Sequence, residues 1–254
     1  MSLESFVDEV AAGTEREYTF LLVNQDNPDP VDRMVDRLFA DQPIDLDQRS
    51  ISDVGEDRVL LVADGEVVAT SPMDRFQREI LFVNSDRYTT GDGHFEVDLP
   101  DVLVGMEDEL FVLRGYPESD TEKLLLIGIS RYLERLAWRH DGGRLRSSFQ
   151  DLSRLRDERG TRSVYEEIAE RDVSVHVYGV PDWIPQEDLG VVVHGGYTRP
   201  FRDFWFVIAR PEADDDGECG VLLAEEVESG TWRGFWTFRP DRVEAIEAHV
   251  ERTM

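Results

Sequence analysis

The sequence has almost no lysine or cysteine. Among 254 residues and 27 basic side chains, Lys123 is the only lysine and Cys219 the only cysteine. A lone thiol cannot close an intrachain disulfide, which excludes a disulfide scaffold. Long apolar runs are missing too. The longest, LLLIGI at 124–129, falls far short of the ~20 residues that span a bilayer. The opening MSLESFVDEV has no basic segment and no apolar segment, so no signal peptide is expected and the reading is soluble and cytoplasmic. Positive charge is scarce: 55 acidic residues against 27 basic ones give a net charge of −28. No basic patch or arm can be read, so direct nucleic-acid contact is not expected.

High charge alone would suit a disordered chain, but 41% of the residues are hydrophobic and their runs are well defined. An acidic surface built almost without lysine resembles adaptation to a cytoplasm full of salt, where carboxylates hold a hydrated shell. On that reading the charge reports the solvent and not a partner.

Periodicity predicts helices over 2–12, 30–40, from Ser71-Pro72 to about 83, over 121–140, 161–170 and from Pro240 to 252. Strands are predicted at 18–23, 58–63, 66–70, 110–114 and 144–150, and then at 173–178, 191–194, 204–209, 221–227 and 232–238. Asp64-Gly65 between two of them signals a tight hairpin. Residues 41–57 and 84–108 read as irregular. The fold class is α+β: an N-terminal α/β portion over 1–108, then a long helix packed on a mostly antiparallel sheet over 109–254. The boundary between the two portions is soft, and one core shared by both is the alternative.

Catalytic and metal signatures are weak. The acidic run ADDDGE at 213–218 places Leu223 where a calcium loop needs its bidentate glutamate. The histidines His94, His140, His176, His194 and His249 form no HExxH, and no cysteine pair supports zinc. There is no phosphate loop, and the GISRY around Ser130 fails the nucleophile-elbow pattern.

Three features stand out. In HVYGVPDW at 176–183, alternation puts His176 and Tyr178 on one strand face, with Trp183 at the bend beyond. In VVVHGG at 191–196, His194 can line a cavity with His176 if the two strands are neighbours, and Gly195-Gly196 allows close backbone approach. Lys123 lies in the first turn of its helix, where a cation opposes the macrodipole and can hold an anion. The candidate ligand site is therefore His176, Tyr178, Trp183, His194 and Lys123.

RGYP at 114–117, EKLLLIGISRYLERLAW at 122–138 and SFQDLSRLRDERGTRSVYE at 148–166 carry a further resemblance, joined by HVYGVPDW, VHGG at 193–196, GFWTF at 234–238 and LFVNSDRYTTG at 81–91. With these strings the chain resembles haloarchaeal proteins with a DICT sensory domain, most firmly over 109–240. The resemblance implies a sensory, ligand-binding role in signal transduction, with a link to light or redox signalling in bacterial relatives. It names no cofactor and carries over no catalytic residue. The expected partner is a separate signalling or regulatory protein, with a small-molecule ligand and no membrane. The alternatives are a small-molecule enzyme using His176, Tyr178 and His194 as acid–base groups, or a module that binds only proteins.

The charge excess generates a prediction. Crowded carboxylates repel once screening is removed, as the Debye length grows from about 3 Å at 1 M salt to about 10 Å at 0.1 M. The thermal midpoint should fall markedly over that range. A melting curve indifferent to salt would contradict the halophilic reading.

Overall fold

The structure, a computed structural model, describes residues 2–13, 17–24, 44–49, 57–78, 98–114, 123–140, 142–157, 159–185, 189–212 and 217–254. Helix α1 (Leu3–Gly13) buries Leu3, Phe6, Val7 and Val10 at helical spacing. A four-stranded sheet follows, from β1 (Tyr18–Val23), β2 (Ile44–Arg49), β3 (Arg58–Ala63) and β4 (Glu66–Pro72), in the order β2-β1-β3-β4. The β3–β4 turn has φ of 53° at Asp64 and 85° at Gly65, the positive pair that a two-residue hairpin needs.

Three expectations change here. The polar stretch 41–57 contains β2, which pairs in parallel with β1. Its sequence IDLDQR is apolar only at alternate positions and carries little β signal of its own, so tertiary pairing decides it. Ser71 and Pro72 end a strand instead of opening a helix, and a short α2 (Met73–Phe76) comes after them. The Ser71 hydroxyl accepts the backbone N–H of Val102, which anchors α3 (Asp101–Val104) within the stretch read as irregular. The helix predicted at 30–40 lies outside the described residues.

The larger sheet has seven strands: β5 (Phe111–Arg114), β6 (Arg144–Asp151), β7 (Ser174–Val180), β8 (Val192–Gly195), β9 (Phe204–Arg210), β10 (Gly220–Glu228) and β11 (Thr231–Thr237). Their order is β5-β11-β10-β9-β6-β7-β8. The pairs β6–β7 and β7–β8 are parallel and the other four are antiparallel. Helix α4 (Lys123–Arg139) precedes β6, while α5 (Arg154–Asp157) and α6 (Arg159–Ala169) connect β6 to β7. Helix α7 (Arg199–Asp203) leads into β9, and α8 (Pro240–Thr253) follows β11.

Alternation divides each strand between two layers. Val207, Ala209, Leu222, Ala224, Val175 and Val177 join one buried cluster with α4 and α6. That cluster also takes in Phe20 and Leu61 of the small sheet. Phe206, Ile208, Val221, Leu223 and Phe235 join a second cluster with α1 and α8. The large sheet is thus covered on both faces, which explains the unbroken apolar runs FWFVIA and VLLA. Gly143, at φ 95°, ends the α4 connection where a Cβ would lie 2.4 Å from the Arg210 carbonyl oxygen. Only glycine fits that close approach.

Two carboxylates are buried on the α1/α8 face. Glu225 is bound by Arg199 and by Arg233, and those arginines also reach Glu4 and Asp8 of α1. Glu247 of α8 accepts from Arg144 at 2.8 Å, Arg146 at 3.2 Å and Arg210 at 2.8 Å. Arg233 on β11 and Arg199 on α7 link Glu225 of β10 to α1, and Arg144, Arg146 and Arg210 on the sheet hold Glu247 of α8, so each cluster ties a helix to the sheet.

Candidate functional site

A cavity of about 170 Å³ opens between α4, α6 and the strands β6 and β9. Helix α4 presents Ile127, Ser130, Arg131 and Glu134 to it, a stripe at i, i+3, i+4 and i+7. From β6 come Ser147 and Phe149, which share the core-facing side with Leu145. Trp205 and Val207 of β9 add apolar wall, and Thr161 and Tyr165 of α6 close the far side.

Most polar groups in this space are answered. Arg131 donates to Glu134 at 2.6 Å and to the Thr161 hydroxyl at 2.8 Å, and both members of that ion pair are about 95% buried or more. Three hydroxyls are not. The oxygens of Ser130, Ser147 and Tyr165 are buried and make no hydrogen bond of ordinary geometry with the protein. Tyr165 lies near Ser147 and Glu134, and burial followed by the Glu134 charge pushes its phenol well above its usual range. It therefore stays protonated and remains a donor. Beside the cavity β6 bulges: Gln150 adopts φ 62° between the Ser148 and Asp151 pairings. Bulges of this kind concentrate at sites where a strand must re-aim its side chains.

The sequence-predicted site lies on the opposite layer. His176 and Tyr178 do share a face of β7, and β8 is its neighbour, with Tyr178 paired to His194. His176 Nδ1 and His194 Nε2 are 2.9 Å apart, and His176 Nε2 is 3.0 Å from the Ser174 hydroxyl. The Tyr178 and His194 rings stack at 4.3 Å and 7°. Arg146 donates to the Tyr178 hydroxyl at 2.8 Å and also holds Glu251 of α8. The three rings form a packed stack in which Tyr178 is fully buried and the two imidazoles half-buried, and they line no part of the cavity described above.

Trp183 does not join them. It packs against the other cluster, with the Arg156 guanidinium 5.9 Å above its ring. The room expected at Gly196 is taken up by Phe201, whose ring would lie 2.4 Å from a Cβ there. The side chain of Lys123 lies outside the described residues. Among the described residues, no three histidine, cysteine or acidic side chains are placed to hold a metal ion, and no helix is long and apolar enough to cross a membrane.

Burial, then the Arg146 charge and the neighbouring His194, lower His176 to about 4. Burial and Arg146 lower His194 as well. Glu247 shows the opposite balance: burial resists its ionisation, but hydrogen bonds from Arg144, Arg210 and Arg146 hold it at about 2.

Residues 102–227 match the DICT family, a sensory domain in diguanylate cyclases and two-component systems. The matched stretch is similar to a DICT sensory domain over just under half of the chain, and every cavity-lining residue falls within it. The small sheet, α1, β11 and α8 lie outside the match. No curated protein matches the chain.

Two predictions follow from this geometry. A buried hydroxyl without a partner costs about 1–3 kcal/mol, so Tyr165→Phe should raise the thermal midpoint of the ligand-free protein by several degrees. A lowered midpoint would mean that the hydroxyl is satisfied within the fold. The second concerns pH. The histidine stack stays neutral in the fold, whereas the unfolded chain takes up protons below about 6.5. Stability should therefore decline from pH 6.5 towards 4, with no contribution from His176 above that range. Denaturant titrations of His176→Gln should show a shallower decline; an unchanged slope would remove His176 from the linkage.

Proposed function

We propose that the chain is a sensory module that binds a small molecule in the α4–β6–β9 cavity and signals its occupancy to a separate output protein. The setting proposed is the cytoplasm of a salt-rich cell. The observation that carries this reading is the group of three buried hydroxyls around one cavity inside the matched region, Ser130, Ser147 and Tyr165, which make no hydrogen bond of ordinary geometry with the protein. Native structures seldom leave such groups unanswered unless water or a ligand answers them. Occupancy would favour the conformation that holds α4 and α6 against β6 and β9, and a ligand shifts an equilibrium only through such differential contacts.

The His176–Tyr178–His194 stack is the second candidate ligand site, proposed for a planar or anionic molecule docking on its exposed edge. Its close parallel rings favour this reading. The same groups would supply acid–base chemistry if the protein were an enzyme.

Native mass spectrometry of protein purified at high salt tests the proposal. A bound small molecule should be released chemically unchanged on denaturation, and Ser147→Leu, which fills the cavity, should abolish its retention while His176→Ala keeps it. Steady turnover lost in His176→Ala would replace the sensor with the enzyme. Retention lost in His176→Ala alone would move the ligand to the stack.

A further inference from the structure

We propose that the cavity between α4 and the strands β6 and β9 recognises an uncharged planar molecule, one aromatic ring bearing a hydrogen-bonding edge. The inference rests on the reading of this cavity as the ligand site and specifies what it takes.

Size comes first. A cavity of about 170 Å³ is slightly larger than the roughly 150 Å³ apolar cavity that accepts benzene. It has room for a ring and a short substituent and none for a nucleotide. Ile127, Phe149, Trp205 and Val207 supply apolar wall on two elements. Water can satisfy the three hydroxyls, but it gains nothing from those walls. A molecule with one polar edge and one apolar body satisfies both.

Charge comes second. Arg131 is the buried cation of the cavity, and Glu134 already answers it at 2.6 Å, with Thr161 taking a second donor at 2.8 Å. An anion would have to compete with Glu134 and leave that carboxylate buried beside it. A cation would have to compete with Arg131 in the same way. Either leaves an uncompensated buried charge, which is far costlier than a neutral guest. Ser130, Ser147 and Tyr165 can each donate and accept, which suits an amide, a carbonyl or a ring nitrogen. Arg154 lines the half-buried rim and is the group that would favour an anion.

Three probes of one shape and different charge decide the matter: benzamide, benzoate and benzylammonium, titrated calorimetrically into the full chain at molar salt. Benzamide should bind saturably at one site, at least tenfold more tightly than either ion. Tyr165→Phe and Ser147→Ala should each weaken it by about tenfold, the usual order for one buried hydrogen bond. Their melting curves must show that they remain folded. Preference for benzoate, or for benzylammonium, overturns the neutral class and leaves the ligand site standing. Equal benzamide binding by wild type and both variants overturns the role of the hydroxyls. If none of the three binds, native mass spectrometry separates the outcomes. A retained molecule with no probe binding refutes only the class, and no retained molecule refutes the site as well.

Discussion

Everything in this molecule depends on a sheet covered on both faces. A strand with helices on either side has no solvent-facing side chain to spare, so each polar residue it carries must find a partner or lose free energy. The chain meets this demand with arginine. Glu225 and Glu247 are each nearly inaccessible and each is held by at least two guanidiniums. The planar fork of arginine can serve two acceptors at once, as Arg146 does for Glu247 and Tyr178, whereas a lysine ammonium lacks that fixed geometry. Against this background the unanswered hydroxyls of the cavity are conspicuous.

The acidic excess is a property of the exterior and the buried ion pairs are a property of the interior. Exposed pairs such as Arg162–Glu166 and Arg156–Asp157 contribute little and are screened by salt. The Arg131–Glu134 and Arg146–Glu247 pairs lie largely out of solvent, where screening is weak. The same composition therefore contains one set of charges that responds to ionic strength and another that hardly does.

Much of the architecture was legible. The alternation in 173–178 correctly separated Val175 and Val177 from His176 and Tyr178, and the neighbouring strand did bring His194 beside them. What alternation could not show is that both faces are covered, so Tyr178, opposite the valines, is buried against Phe206 and the Arg146 guanidinium. FWFVIA and VLLA carried that information, since they do not alternate. The cavity itself left a signal that was missed: Ser130, Arg131 and Glu134 recur at the spacing of a single helix stripe, and Ser147 sits between Leu145 and Phe149 on a core-facing strand side. Partner choice among so many acids and arginines was not legible, because sequence spacing says nothing about which of them meet across the sheet.

Strand β6 has one further property. Arg146 and Ser147 are consecutive residues, and the pleat sends one into the ion cluster under α8 and the other into the cavity under α4. They share a peptide unit that is rigid on the scale of ångströms. A displacement of Ser147 along or across the strand is therefore transmitted to Arg146 without any intervening relay of side chains. The backbone works here like an axle through a wall, so the C-terminal helix on one side of the sheet is mechanically joined to the wall of the cavity on the other.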